Sequence, residues 1–256
     1  MKYGISKISI IPVRADKTEQ SEMVTQILFG EMFQIIEEDK NWVFVKLIED
    51  GYQGWLSADS FTGISDDEFM ALNKSESKIV RKLFETVKNV TKQEILILPF
   101  GSVLPRFNVT DSSFAITDTR YELQQDDDIK DYDISYLAKQ FLNAPYLWGG
   151  KNPMGIDCSG FTQLIYKAMQ IQIPRDASQQ VNLGQTINFV NDARLGDLAF
   201  FDNDEGSITH VGVVLNNNEI IHSSIKVRID KLDQQGIFNK EFNRYTHKLR
   251  VIKRII

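Results

Sequence analysis

Gly149-Gly150-Lys151-Asn152-Pro153-Met154-Gly155-Ile156-Asp157-Cys158-Ser159-Gly160-Phe161 is the stretch on which the reading of this chain turns. Its glycine-rich first part reads as a loop, and beyond it Phe161, Leu164, Ile165 and Ala168 recur at the spacing of one helix face. Cys158 therefore falls at a helix N-terminus. Unpaired backbone N–H groups and the positive end of the dipole favour an anion there, so the position is expected to lower the thiol pKa and raise the thiolate fraction. The competing reading is a small buried hydrophobe, a common state of free cysteine. From position alone the two stand level.

The histidines tip the balance, because the chain has only three and two of them, His210 and His222, fall on one hairpin. Strands are expected over residues 211–215 and 220–223 around Asn216-Asn217-Asn218. If those asparagines form the loop, Leu215 pairs with Glu219, His222 faces Gly212, and His210 sits one diagonal step away. An odd loop puts both rings on one face, whereas an even loop splits them. A nucleophile requires a base within hydrogen-bond reach and a third group that holds the base's tautomer, and this hairpin offers both to Cys158. Gly212 leaves space beside the imidazole. The two rings lack the i, i+4 helical spacing of zinc ligands, so no metal ligand is assigned and no cofactor is expected. His247, among Lys248 and Arg250, reads as structural or exposed.

The unit that holds these residues is expected over residues 131–256, after the acidic Asp126-Asp127-Asp128 run, which reads as a solvated linker. Ile134, Leu137, Ala138, Phe141 and Leu142 predict a helix that Pro145 ends, and Leu249, Val251 and Ile255 a closing strand. Residues 1–62 show short β-rich runs at 5–11, 24–28, 32–37, 42–47 and 54–57. Turn signals at Gly30, Asp39-Lys40-Asn41 and Glu49-Asp50-Gly51 separate them, so a small antiparallel barrel is predicted. Ser65-Asp66-Asp67-Glu68 starts a short connector helix. Residues 63–125 then read as this connector and a second, degraded barrel, with a helical pattern at Ile79, Val80, Leu83, Phe84 and Val87 before strands at 95–98, 102–107 and 113–117.

Composition narrows the function. The 256 residues carry a net charge of -6, so no broad basic surface exists to neutralise phosphates, and general nucleic-acid binding is not expected. One cysteine excludes an intramolecular disulfide and an all-cysteine metal site. The apolar stretch at 8–13 is short, contains Pro12 and runs into Arg14, Asp16, Lys17 and Glu19, unlike a signal peptide. No window approaches the roughly 18 apolar residues of a membrane span. A cytoplasmic monomer with no membrane partner is expected.

Pro145-Tyr146-Leu147-Trp148-Gly149-Gly150, Asp157-Cys158-Ser159-Gly160-Phe161, Pro174-Arg175-Asp176-Ala177-Ser178-Gln179-Gln180, Leu195-Gly196-Asp197-Leu198 and His210-Val211-Gly212 together resemble the NlpC family of papain-like cysteine peptidases. The resemblance implies an α+β fold, a papain-like NlpC catalytic domain preceded by two small SH3-like β-barrels. It also implies a catalytic triad of Cys158, His210 and His222, with the Tyr146 hydroxyl and the Cys158 N–H as an oxyanion hole. The N-terminal unit is similar to bacterial SH3-like barrels, which in one subgroup precede the catalytic domain and restrict its substrate. That subgroup resembles the γ-D-glutamyl-diamino acid endopeptidases, which recognise a free N-terminal L-alanine. The implied partner is a small cell-wall peptide, L-Ala-γ-D-Glu-diamino acid, met in peptidoglycan recycling. Asp157 would pair with its ammonium group, Ser159 and Ser178 would hydrogen-bond it, Trp148 would wall the pocket, and Glu49 and Tyr52 would close the site. Arg175 reads as a brace for the Ser178 loop or a partner for a substrate carboxylate, and Asp197 as a turn residue. Two rival readings are a catalytically idle binder of cell-wall fragments and an acyltransferase or amidase with the same cysteine and histidines.

Overall fold

The computed structural model describes residues 2–124 and 132–256. The chain divides into two compact units, residues 1–130 and 131–256. Asp126-Asp127-Asp128, read as a linker, lies outside the described residues.

In the first unit β1 (Tyr3–Ile5), β2 (Ile10–Arg14), β3 (Met23–Leu28), β4 (Met32–Asp39), β5 (Trp42–Leu47), β6 (Gln53–Ser57) and β7 (Thr62–Ile64) form one antiparallel sheet, in the order β3-β2-β6-β5-β4-β1-β7. Alternate residues of each strand face one side, which is why Val43, Val45 and Leu47 are buried together along β5. The sheet curls around them and around Ile11, Val13, Phe33 and Leu56. The run expected over 5–11 is two strands. Buried Ser6 turns the chain between them, its hydroxyl donating to the Ile8 carbonyl and its N–H to the Glu31 carbonyl.

Ser65 caps α1 (Asp66–Lys74), its hydroxyl oxygen accepting the Glu68 N–H at 3.1 Å. After it come β8 (Ser77–Ile79), β9 (Phe84–Asn89), β10 (Glu94–Pro99), β11 (Val103–Pro105), β12 (Ser113–Ile116) and β13 (Thr119–Leu123). They make a four-stranded sheet, β10-β9-β13-β12, and a two-stranded ladder, β11-β8. The helix expected over 79–87 is absent: Ile79 ends β8, Val80 and Leu83 lie in the connection that follows, Phe84 and Val87 belong to β9, and Val87 pairs with Leu96 and is fully buried. Cross-strand pairing overrode a helical spacing that was accidental. Among the described residues these strands do not close on a core of their own. Leu98, Phe114 and Tyr121 pack with Phe29 and Ile64 of the first sheet region and Phe69 of α1 in one continuous core.

The second unit starts with α2 (Ile134–Gln140), the hairpin β14 (Lys151–Asn152) and β15 (Gly155–Ile156), α3 (Cys158–Ala168) and α4 (Ala177–Gln180). It continues with β16 (Gln185–Ile187), β17 (Leu198–Asp202), β18 (Ile208–Asn216), β19 (Glu219–Ser224), β20 (Lys226–Asp233), β21 (Gly236–Asn239) and β22 (Arg244–Arg254). The sheet order is β16-β22-β17-β18-β19-β20-β21, and β21 pairs again with β22, so six strands close into a barrel. Ala199, Phe201, Val214, Ile220, Leu232, Ile237 and Ile252 form one core within it. Every residue of α3 is buried, and the helix packs on β18 and β19. The expected end of α2 at Pro145 is corrected: the helix stops at Gln140, and Asn143, at φ 71°, turns the chain. Residues 143–146 then lie along β20 and the turn before it, through Asn143 N–H to Val227 O, Val227 N–H to Ala144 O and Tyr146 N–H to Ile225 O.

Candidate active site

Cys158 is the first residue of α3, and Asp157 is its N-cap. One Asp157 carboxylate oxygen accepts the Gly160 N–H at 2.7 Å and the other the Gly149 N–H at 2.9 Å. Arg175 grips the same carboxylate with both terminal nitrogens, at 3.0 and 2.6 Å, and donates to the Ser159 hydroxyl at 2.8 Å. These side chains are buried, so the pair binds the loop before α3, the first turn of α3 and the 174–180 segment into one piece. Gln180 reinforces it, donating to the Ser159 and Pro174 carbonyls and accepting from Thr162. A close approach of backbone makes this possible: a Cβ on Gly150 would stand 2.3 Å from the Gly155 carbonyl oxygen.

The electrostatics differ from expectation. Burial pushes the Cys158 thiol up to about 12, and the Asp157 carboxylate adds to it; the Val211 and Ser159 N–H groups and Arg175 pull the other way without prevailing. The helix terminus is there, but desolvation of a residue only 7% exposed outweighs it. The resting nucleophile candidate is a neutral thiol.

His210 and His222 do share a face, by a route the sequence did not reveal. Asn216 pairs with Glu219, which leaves a tight even-numbered turn, but a bulge between Val214 and Asn216 adds one residue and restores the odd register, with Val214 opposite Ile220. Gly212 serves His222: a Cβ there would stand 2.8 Å from the His222 Cβ. His210 Nε2 lies 2.8 Å from His222 Nδ1, and His222 Nε2 lies 3.1 Å from an Asp230 carboxylate oxygen. Both rings are buried. Burial holds His210 well below the usual imidazole pKa, with the other two histidines adding to the effect. Burial also lowers His222, against the opposing pull of Asp230.

Two members of this cluster escaped the sequence reading. Asp230, on β20, lies a diagonal step from His222, whose direct partner is Arg228. An alternating Val227-Arg228-Ile229-Asp230 run signals a strand, but only the register shows which histidine it meets. His247, expected to be structural or exposed, stacks on His210 at 4.1 Å between ring centroids. It arrives from β22, across the barrel seam, where its flanking Thr246 and Lys248 are exposed.

The other expected residues distribute as follows. Tyr146 is half-buried, and burial, with the neighbouring Asp157 carboxylate adding to it, pushes its phenol up to about 12, so the hydroxyl keeps its proton and can donate. The carbonyl that takes its N–H belongs to Ile225, held at φ 65°, a left-handed conformation that β-branched residues avoid. Ser159 is buried under Arg175, and Trp148 is 61% exposed. Ser178 is exposed on α4, outside the buried cluster. Asp197 accepts from the Arg194 N–H and pairs with Arg254 at 2.7 Å, the bond set of a turn residue. Glu49 and Tyr52 belong to the first unit, at the turn between β5 and β6, where the Tyr52 N–H donates to Asp50 and its ring packs on the sheet core. Among the described residues no three histidine, cysteine or acidic groups are placed to hold a metal, and no helix is long and apolar enough to cross a membrane.

Residues 143–247 match the model of the NlpC/P60 family, and residues 13–61 match a model described as a bacterial dipeptidyl-peptidase Sh3 domain. The chain is 30% identical over 217 residues to a γ-D-glutamyl-L-lysine dipeptidyl-peptidase of Bacillus subtilis, covering 78% of this chain and 71% of the relative. Dipeptidyl-peptidase 6 of Lysinibacillus sphaericus is 27% identical over 257 residues, covering 86% and 88%. A crystal structure of a NlpC/P60 family protein from Bacillus cereus has the same fold, with a TM-score of 0.83 over 99% of each chain at 22% identity.

Proposed function

This chain belongs to the NlpC/P60 family of peptidoglycan-hydrolysing cysteine endopeptidases, and from that premise we propose that it cleaves the bond between γ-D-glutamate and a diamino acid in cell-wall peptides with a free N-terminal L-alanine. Cys158 attacks the γ-carbonyl, and its proton passes to His210, whose free ring nitrogen is Nδ1. The resulting acyl-enzyme forms as His210 returns the proton to the departing amine, and water then releases L-Ala-γ-D-Glu. Burial favours the neutral thiol, so the attack includes transfer of its proton to His210. The Tyr146 hydroxyl and the Cys158 N–H receive the negative charge on the carbonyl oxygen, which exists only in the transition state.

The observation that carries this reading is the buried His210–His222 bond on the strand whose Val211 N–H acts on the Cys158 sulfur. The name of the Bacillus subtilis relative supports the γ-D-glutamyl specificity. In this reading the substrate ammonium shares Asp157 with Arg175, Ser159 and Ser178 bond the short peptide, and Trp148 walls the pocket. The four-stranded sheet of the first unit acts as a degraded second barrel, and the protein works as a cytoplasmic monomer on recycled fragments.

The test is mass spectrometry of products from L-alanyl-γ-D-glutamyl-L-lysine, its diaminopimelate counterpart and their N-acetylated forms. Wild-type protein releases L-Ala-γ-D-Glu from the free amines only, and Cys158→Ala is at least about 10⁴-fold slower. Equal turnover of acetylated peptide overturns the amine requirement, and full activity of Cys158→Ala overturns the nucleophile.

A further inference from the structure

We propose that Asp230 is a positioning residue that sets the tautomers of both site histidines, so that Cys158, His210, His222 and Asp230 act as one chain. The inference rests on the reading of His210 as the base for Cys158.

Asp230 receives bonds from several elements: His222 on β19 at 3.1 Å, Arg228 on its own strand at 3.2 Å, and Asn239 on β21 at 3.4 Å. Burial works to raise its carboxyl, but the bonds and charges of His222 and Arg228 outweigh this and keep it below the ordinary carboxylate value. The other charged or titratable groups bearing on it are His247 from β22, which feels its charge, and Glu241, which shares Arg228. An ionised carboxylate only accepts. His222 Nε2 must therefore carry the proton. A neutral His222 then has only a lone pair at Nδ1, so the 2.8 Å bond to His210 requires His210 Nε2 to be the donor. A neutral His210 is left with its lone pair at Nδ1, the nitrogen a base needs.

Without Asp230 the same 2.8 Å bond reads equally well in reverse. His222 Nδ1–H would then donate to His210 Nε2, and His210 would carry its proton on Nδ1, where it takes nothing from a thiol. The carboxylate removes that alternative two rings away from the reacting sulfur. Arg228 keeps the carboxylate charged, and Asn239 occupies another of its lone pairs.

The experiment is ring-¹⁵N NMR on the full chain labelled at its three histidines, combined with kcat and KM for wild type, Asp230→Asn, Asp230→Ala and Asp230→Glu. In wild type, His210 and His222 are both Nε2–H tautomers. In Asp230→Asn and Asp230→Ala the two rings show mixed tautomers, and kcat falls about 10- to 100-fold with KM within about 2-fold, the size typical when an outer partner of a functional histidine is lost. Asp230→Glu restores the wild-type tautomers in part and kcat with them. An Nδ1–H tautomer at either residue in wild type, or unchanged tautomers and kcat in Asp230→Ala, overturns the proposal. If Asp230→Ala fails to fold, the same outcomes are read from Asp230→Asn, whose side chain is of equal size. Failure of the base reading is separable: Cys158→Ala would stay active while the tautomers still respond to Asp230.

Discussion

In the first unit, Arg14 pairs with Glu19 and Arg120 with Asp111, and one or both side chains of each pair stand in water, 52% and 43% exposed for the second. In the second unit, Arg175 and Asp157 are 2% and 8% exposed, and His222 and Asp230 are 1% and 4%. Charges of the same kinds thus occupy opposite environments. Surface pairs are screened and flexible, so they contribute little and orient nothing. Buried pairs must satisfy one another, since desolvation penalises any that do not, and that demand is what gives a side chain one direction and one tautomer. Both buried pairs lie around Cys158 and His210, where direction matters to chemistry.

The largest test of this contrast sets Arg175→Ala against Arg120→Ala in urea unfolding of the full chain. Arg175→Ala strands the buried Asp157 carboxylate and is expected to cost about 3–5 kcal/mol, whereas Arg120→Ala leaves the midpoint unchanged within error. Equal effects would dissolve the contrast. Gly212→Ala comes next: its Cβ meets the His222 Cβ at 2.8 Å, so a stability loss of about 1–3 kcal/mol is expected with a fall in kcat larger than any change in KM. A silent Gly212→Ala would mean His222 is free to shift.

The gentlest probe is pH. All three histidines lie in the second unit, and their folded pKa values are lowered, that of His247 to about 4 from an ordinary 6.5. The unfolded chain therefore binds more protons in that window, and the contribution of these rings is fully present above about pH 6.5 and is lost as pH falls toward 4. Hydrogen exchange resolved by segment should show the second unit loosening from pH 6.5 to 4.5 while the first, which has no histidine, holds. Parallel loosening of both units would show that the buried rings do not govern acid sensitivity.

Much of the site was legible in the amino-acid order. Cys158 at the helix N-terminus follows from a glycine-rich loop meeting an amphipathic run, whereas Asp157 as its cap is seen only in the structure. The hairpin under His210 and His222 follows from its strand pattern, with the shared face left to the loop's parity. The parity held for an unforeseen reason, since a bulge beside Leu215 compensates for a turn shorter than the asparagine run suggests. What misled was local pattern without partner: residues 79–87 imitate a helix only while β10 and β13 are unknown.

The amino-acid order alone determined the elements whose causes lie within a few residues: the start of α3 at Cys158, the hairpin that carries two imidazoles, and the motifs that mark the family. Three things were decided only in the folded chain: the thiol's neutrality, the Asp230 carboxylate behind His222, and the His247 ring over His210. Each depends on what surrounds a group rather than what adjoins it. Desolvation and strand register arise from segments far apart in the chain, and no local spacing encodes them.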